Sequence, residues 1–197
     1  MTWKECKYLI SSDFQRNKVG GGKVILYLKD ESAKISLWFR LGTFLTEKNK
    51  WYLSPIILII KVIYKHLQHK TGIQLPWGTH IGYGLRFFHF GSVVIAQSSN
   101  IGHNVSIHQD VTIGRVFNGG KAGVPTIGDN VVIFAGAKII GNVTIGNDVV
   151  VGANAVVVDN VPDGCIVAGV PAKVISSSSN KCFNKEWGEI FAHGYEE

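Results

Sequence analysis

The sequence predicts a mainly β fold, a parallel β-helix built from hexapeptide repeats, with an α-helical region in front of it. Three observations support this prediction. Aliphatic residues recur at every sixth position over much of residues 81–157, and Gly, Asn and Asp fill many positions between them. The first 70 residues lack this repeat and show helical patterns instead. A period of six fits neither the 3.6-residue turn of a helix nor the alternation of a half-buried strand.

The repeat is clearest in the second half of the chain. Its six-residue units begin at Ile101, Ile107, Ile127, Ile133, Ile139, Ile145, Val151 and Val157. Ile81, Phe87 and Val93 keep the same spacing but lie two residues out of phase. Such units form a short strand and a turn, and they bury their aliphatic residues only by stacking on neighbouring units. Gly, Asn and Asp suit the turns because they tolerate left-handed backbone angles. We therefore assign residues 71–175 to the β domain.

Residues 1–70 form the predicted N-terminal helical region. The stretches "ESAKISLWFRLGTFL" and "SPIILIIKVIYKHLQHK" have helical faces of aromatic and aliphatic residues. Lys61 interrupts the apolar run of the second stretch, which is shorter than the roughly 20 residues of a membrane-spanning helix. Two roles fit this helix. It caps the open end of the β-helix, which the pattern favours, or residues 51–70 make a peripheral contact with an anionic membrane.

Two further segments interrupt or follow the repeats. Between Ile113 and Ile127 the phase is broken by "GRVFNGGKAGVPT", which predicts an extruded loop over residues 114–126. Loops that leave a rigid scaffold are frequent positions for functional sites. After Ile175 the repeats stop, and "SSSSNK" begins a C-terminal tail over residues 176–197, with a short helical segment around Trp187.

Composition limits the classes of function. The chain has 197 residues, a formal net charge of +6 and a pI near 9.2. This charge suits nucleic acid, a membrane surface or a polyanionic small ligand, but no nucleic-acid-binding module is visible. Three cysteines, Cys6, Cys165 and Cys182, lack metal-ligand spacing and indicate free thiols in a reducing compartment. With no secretory signal pattern at the start, we expect a cytoplasmic protein.

His89 is the main candidate for chemistry. It follows two aromatic residues in "GLRFFHFGSVVI", at a position where side chains leave the solenoid core. A partly desolvated histidine has a pKa near neutrality and accepts a proton from a hydroxyl group. The alternative is a histidine with a purely structural role.

From Gly82 to Ile175 the chain resembles the serine acetyltransferases and the related sugar and polysaccharide O-acetyltransferases. The matching motifs occur in order: "GYGLRFFHFGSVVI", "VSIHQDVTIG", the extruded loop, "IFAGAKIIGNVTIG", "VGANAVV" and "AGVPAKVI". The resemblance implies a homotrimer of left-handed β-helices that uses acetyl-CoA as the acetyl donor. It also implies that His89 is the catalytic base and that no metal is required.

The same resemblance implies where acetyl-CoA binds. Backbone amides near Ala135 and Ala153 match those that hold the pantetheine arm, and Gly114 belongs to the same predicted donor site. Ala135 and Ala153 are three units apart, so in a three-sided coil they stack on one face. Lys173, in "GVPAK", is the candidate partner of a CoA phosphate. A solvated lysine is the alternative.

The sequence departs from the serine enzymes in the acceptor pocket. Phe88 replaces an acidic residue, Gly123 and Val124 replace an arginine and a histidine, and Gln74 replaces the carboxylate that supports the catalytic histidine. The groups missing at Phe88, Gly123 and Val124 are those that recognise an amino acid's ammonium and carboxylate. This comparison favours a sugar or polysaccharide acceptor, of capsule, O-antigen or exopolysaccharide type. Phe88, His108 and Gln109 are its predicted binding residues, and Gln74 is predicted to orient His89.

Three other functions remain open at this stage. Serine O-acetyltransferase activity is the first alternative. His103 and His108 have the spacing of two metal ligands in gamma-class carbonic anhydrases, for which His69 is the nearest third ligand. A non-catalytic trimeric scaffold is the third alternative, supported only by Gln74 and Val124.

Overall fold

The computed structural model describes residues 1–17, 27, 30–48 and 50–178. Its N-terminal part contains helices α1 (Trp3–Arg16), α2 (Glu31–Glu47) and α3 (Ser54–Thr71), with a 3₁₀ turn at Trp51–Leu53 before α3. Polar caps define the starts of α1 and α2, where the side chains of Thr2 and Asp30 accept hydrogen bonds from backbone N–H groups of the first turn. Helix α3 ends at Gly72, whose φ of 72° is the left-handed conformation of a glycine cap.

Short strands follow one another through the rest of the described chain. They are β1 Ile73–Gln74, β2 His80–Ile81, β3 Arg86–Phe87, β4 Val93–Ile95, β5 Asn100–Ile101, β6 Ser106–Ile107, β7 Thr112–Gly114, β8 Thr126–Ile127, β9 Val132–Ile133, β10 Lys138–Ile140, β11 Thr144–Ile145, β12 Val150–Val151, β13 Val156–Val157, β14 Ile166–Ala168 and β15 Lys173–Ser176.

From β1 to β13, successive strands enter three different sheets in turn, and β14 and β15 both join the third. The first sheet has the order β1-β4-β7-β10-β13, the second β11-β8-β5-β2, and the third β15-β14-β12-β9-β6-β3. The pairings are parallel except that β15 runs antiparallel to β14. The prediction of a mainly β fold with parallel sheets and N-terminal helices is therefore confirmed.

The repeated aliphatic residues form the core between the sheets. In the second sheet, for example, Ile81, Ile101, Ile127 and Ile145 lie in register on neighbouring strands, and all four are buried. The two-residue phase shift of the sequence falls on β4. Val93 aligns with Ile73 in β1, Ile95 aligns with Ile113 in β7, and both β4 residues are buried. Short turns connect the strands of each coil, and positive φ angles occur in these turns at Asn104, Asp110, Asn130, Asp148 and Asn154.

A buried polar network joins the helices to the first β coil. The carboxylate of Asp13 in α1 accepts hydrogen bonds from the Arg40 Nε in α2 at 3.0 Å and from the Leu85 N–H at 2.8 Å. Arg40 also donates to the backbone carbonyls of Ile81 and Gly82, each at 2.6 Å. Asp13 is fully buried and Arg40 is 3% exposed. The Asp13–Arg40 pair therefore fixes α1 and α2 to the first coil through hydrogen bonds that are shielded from water.

Helix α3 packs beside the first coil with one face only. Its Ile60, Tyr64 and Leu67 are buried, and the Tyr64 hydroxyl donates to the Leu75 carbonyl. The Tyr64 ring also stacks on Trp77, with centroids 5.5 Å apart. Within the described residues, no helix is long and apolar enough to span a bilayer.

Contacts at the base and at the tip hold the segment that was predicted as an extruded loop. Val116 and Gly123 exchange two backbone hydrogen bonds, which close the loop into a short antiparallel bridge. Lys121 at the tip pairs with Asp159 of a later coil. The predicted C-terminal tail, 176–197, lies outside the described residues from residue 179 onward.

We expect Asp13→Asn to lower the free energy of unfolding by about 3–5 kcal/mol, because the change leaves the Arg40 charge buried without its partner. Urea titration followed by circular dichroism measures this change. The matched control is Glu47→Gln, which removes the more exposed ion pair of Glu47 with the N-terminal amine and should cost no more than about 1 kcal/mol. Equal effects of the two substitutions would contradict the anchoring role of Asp13.

Candidate active site

Four of the predicted site residues lie in one column at a corner of the coil. His89, Gln109, Ala135 and Ala153 each stand two residues after a buried residue of the third sheet. Those buried residues are paired in register from strand to strand: Phe87 with Ile107, Ile107 with Ile133, and Ile133 with Val151. The register therefore stacks the four residues along the axis of the coil, and we call them the site column.

An aromatic stack lies beside the site column. The Phe88 and His108 rings are parallel with centroids 4.5 Å apart, and the His108 and Phe134 centroids are 4.9 Å apart. The three residues occupy equivalent positions immediately after β3, β6 and β9, one residue after the buried side chain. His89 is exposed, and its ring centroid lies 6.2 Å from that of His108. The exposed His89 imidazole therefore lies next to the half-buried imidazole of His108.

The environment of His108 disfavours its charged form. Burial lowers the pKa of His108, and the neighbouring His89 and Arg86 lower this pKa further. Its ring lies between Phe88 and Phe134, which offer no hydrogen bond to an imidazolium. At neutral pH His108 is therefore an uncharged group that can donate or accept a hydrogen bond at the edge of the site.

Sequence analysis missed the arginines beside this stack. The Arg86 guanidinium lies over the Phe88 ring, 4.1 Å from its centroid. Burial lowers the pKa of Arg86, and the Asp30 carboxylate opposes this shift. Burial and the nearby Arg86 charge lower the pKa of Arg16 to about 10. Both arginines remain charged at neutral pH. The available signal was strand alternation, since Arg86 is two residues before Phe88 and must share its side of β3.

Gln74 and Gln109 differ in their relation to the site column. Gln74 lies in β1 of the first sheet, where it aligns with Val94, and its side chain is exposed. Among the described residues no hydrogen bond joins Gln74 to His89. Gln109 is itself in the column, and its Oε1 atom is buried without a hydrogen-bond partner among the described residues. A ligand with an N–H or O–H donor would satisfy this oxygen.

The predicted donor-site residues fall into two places. Ala135 and Ala153 are in the site column, and neither N–H donates a hydrogen bond to another described residue. Gly114 is the last residue of β7, the middle strand of the first sheet, and its carbonyl accepts from the Gly141 N–H. Lys173 begins β15, is exposed, and helps to lower the pKa of Asp159, which Lys121 lowers most. The structure of one chain does not bring Gly114 and Lys173 to the column.

At Gly123, one of the loop positions that differ from the serine enzymes, the backbone conformation accounts for the difference. Its φ is +139°, and a Cβ atom there would lie 2.9 Å from the Asn142 Cβ. An arginine at this position would require a different loop backbone. Two further aromatic side chains are exposed, Phe90 just after His89 and Phe117 in the loop.

The histidines considered as metal ligands have other surroundings. The His103 Nδ1 accepts a hydrogen bond from the Tyr83 N–H at 3.1 Å, and its ring stacks on Tyr83 at 4.0 Å. His69 is exposed on α3. Among residues 1–17, 27, 30–48 and 50–178, no three His, Cys, Asp or Glu side chains are grouped closely enough to hold a metal ion.

Comparison with known proteins places these features in a family. A family model described as bacterial transferase hexapeptide (six repeats) matches residues 125–159. A serine acetyltransferase of Staphylococcus epidermidis is 34% identical over 158 residues, which cover 80% of this chain and 70% of that protein. The chain belongs to the serine acetyltransferase family. A serine acetyltransferase of Staphylococcus xylosus is 36% identical over 149 residues, which cover 76% of this chain but only 64% of that relative.

Solved structures of the family agree in fold. A soybean serine acetyltransferase complexed with serine has a TM-score of 0.74 and 26% identity, covering 87% of this chain and 70% of that one. A serine acetyltransferase complexed with CoA has a TM-score of 0.69 and 26% identity, covering 87% of this chain and 68% of that one.

These comparisons contradict the saccharide acceptor predicted from the sequence. The relatives are serine acetyltransferases, and the soybean structure holds serine. Polysaccharide biosynthesis is therefore the wrong interpretation of the altered pocket. The inference assumed that the charges must come from the family's usual positions, Phe88, Gly123 and Val124, and it overlooked Arg86. The assignments of individual site residues stay predictions.

We expect His108 to titrate below the ordinary histidine pKa of about 6.5, because burial and neighbouring positive charge oppose its protonation. The Phe134→Ala substitution exposes one face of the ring to water and should raise this pKa. Histidine-selective NMR titration of the two proteins measures the shift. Phe117→Ala, which changes an exposed loop residue away from the stack, is the control. An unchanged His108 titration in Phe134→Ala would contradict the desolvation argument.

Proposed function

We propose that this protein transfers the acetyl group of acetyl-CoA to the side-chain hydroxyl of serine. Family membership carries this proposal, because the chain matches serine acetyltransferases over most of its length. The position of His89, exposed at the head of the site column, supports it. The proposal includes the left-handed coil and the homotrimer that the family resemblance implied, with the substrates held in the groove between two subunits.

His89 is the proposed general base. Its neutral imidazole accepts the proton of the serine hydroxyl while the oxygen attacks the thioester carbonyl carbon. A C–O bond forms and the C–S bond breaks. The CoA sulfur then takes the proton from His89, so O-acetylserine and CoA leave and the histidine is neutral again. Gln74 remains a candidate to orient the imidazole.

The remainder of the site column fits a long acetyl donor. The N–H groups of Ala135 and Ala153 donate to no other residue that the structure describes, and they lie on adjacent coils roughly 4.8 Å apart, the spacing of paired strands. Amide carbonyls of a pantetheine arm laid along the coil axis accept from such N–H groups. Gly114 and Lys173 stay candidates for the donor site, with Lys173 the proposed partner of a CoA phosphate.

Arg86 is the proposed partner of the serine carboxylate. It carries a positive charge on the side of β3 that also bears Phe88, and its field reaches His108. The Phe88 ring supports the guanidinium through a cation–π contact, which holds the fork in place. The buried Gln109 Oε1, which has no hydrogen-bond partner among the described residues, is the proposed acceptor for the serine ammonium group. In this proposal the Arg86 charge and the neutral Gln109 amide take over the recognition of serine from the groups missing at Phe88, Gly123 and Val124.

We expect His89→Ala to reduce acetyl transfer by about two to four powers of ten, the usual contribution of a positioned general base. Thiol release from acetyl-CoA, with serine as acceptor and mass detection of O-acetylserine, measures the loss. Binding of acetyl-CoA by calorimetry and the unfolding curve should stay unchanged. Near-normal turnover in this variant would remove His89 from the mechanism. Acetylation of a saccharide in preference to serine would overturn the proposed acceptor.

We expect Arg86→Gln to lower kcat/KM for serine by about ten- to a hundredfold, because a charge-assisted contact to the carboxylate is lost. The KM for acetyl-CoA should not change. Serinamide, which keeps the ammonium and hydroxyl groups but lacks the carboxylate, provides the control.

With serinamide, the wild type and Arg86→Gln should react at similar rates, and Arg86→Lys should recover part of the serine activity. An equal loss with both acceptors would show that Arg86 has only a structural role.

A further inference from the structure

The 3₁₀ turn before α3 and the N-terminal half of α3 present a large apolar surface to solvent. Its residues are Trp51, Tyr52, Ile56, Leu58, Ile59 and Val62, with exposed fractions between 49% and 86%. Single exposed apolar residues are ordinary, but a contiguous set of this size on one short segment marks an interaction surface. The opposite face of α3 is the one that packs on the first coil, so this apolar face is not needed to hold the helix. We call it the α3 patch.

Positive charge surrounds the α3 patch. Lys50, Lys61 and Lys65 are exposed and form no ion pair with a described residue. The sequence contains no Asp or Glu from Lys48 to Gln109. The patch therefore combines an apolar centre with a basic rim that has no acidic partner among the described residues.

The side chains match the layers of a bilayer surface. Aliphatic groups of Ile56, Leu58, Ile59 and Val62 suit the boundary of the acyl chains. Trp51 and Tyr52 have amphipathic rings, which favour the headgroup region. The lysines have long stems that let the charge reach lipid phosphates while the stem stays in the apolar layer. Since α3 lacks the length and hydropathy of a membrane span, it would lie in the plane of the surface.

We propose that the α3 patch docks this protein on an anionic lipid surface. The charge pattern selects this occupant over a two-fold pairing of the patch with the same patch on a second chain. A two-fold interface pairs the same patch with itself, so it brings the basic rims of both copies together without an acidic residue to offset them. The proposal goes beyond the proposed function and does not depend on the identity of the acetyl acceptor.

Vesicle co-sedimentation of the full-length protein tests the docking. One set of vesicles contains phosphatidylcholine alone, and the other contains phosphatidylcholine with an equal amount of phosphatidylglycerol. We expect binding to the mixed vesicles, weaker binding to phosphatidylcholine, and loss of the difference at high salt. The tryptophan emission should shift to shorter wavelength on binding, and Trp51→Phe should reduce this shift.

Two double variants separate the apolar and electrostatic contributions. Leu58→Gln with Ile59→Gln should weaken binding to the mixed vesicles at least about tenfold. Lys61→Gln with Lys65→Gln should weaken binding to the mixed vesicles about thirtyfold, because the electrostatic attraction of each lysine near the surface raises the affinity roughly fivefold. The matched controls are Val174→Gln with Ile175→Gln, which changes exposed apolar residues on β15, and Lys4→Gln with Lys7→Gln, which removes two charges from α1.

Both controls should bind vesicles like the wild type. All substituted residues are exposed, and unchanged unfolding curves establish that the variants are folded. Failure of the wild-type protein to bind mixed vesicles would overturn the proposal, as would equal losses in the test and control pairs. Self-association that Leu58→Gln with Ile59→Gln abolishes, without vesicle binding, would assign the patch to a second copy instead. Neither readout requires acetyl transfer, so failure of the docking and failure of the proposed reaction remain distinguishable.

Discussion

Stacking of aliphatic side chains between adjacent coils is the constraint on which the rest of this structure depends. A single six-residue unit is too short to bury its aliphatic residue, so each strand is stable only when the strands above and below are in register with it. Ile127 and Ile145, for example, lie in register on adjacent strands of the second sheet. This register also aligns the residues between the strands. His89, Gln109, Ala135 and Ala153 consequently form a column, although nothing in their own chemistry brings them together.

The N-terminal helices add what the repeats cannot supply. A stack of coils ends in an open layer of apolar side chains and unpaired strand edges, which must be covered. Helix α3 places Tyr64 and Leu67 beside the first coil, while Asp13 and Arg40 link the other two helices to the backbone around β2 and β3. The buried ion pair specifies one arrangement, because each charge is satisfied only when both helices and the coil are in place. The outward face of α3 remains available for a partner.

The acceptor site shows how a correct observation can lead to a wrong function. The acidic residue, arginine and histidine of the family are absent at Phe88, Gly123 and Val124, as the sequence indicated. The conclusion that the acceptor is uncharged did not follow, since a positive charge can reach the same space from another position in the chain. In this fold Arg86 lies over the Phe88 ring and half-buried beside the histidines. The substitution of a pocket residue therefore does not determine the charge of the pocket, because neighbouring side chains also contribute to that charge.

The sequence by itself determined the period of the repeats, the turn residues, the helices of the first seventy residues and the alignment of Ala135 with Ala153. These features follow from local spacing, because burial on a strand or helix repeats with the geometry of that element. The tertiary structure alone decided the contacts between distant elements. It placed Asp13 against Leu85, Arg86 within reach of His108, and Gly123 in a closed loop with φ of +139°. Such contacts depend on how whole elements pack in three dimensions, and no local period in the sequence encodes that distance.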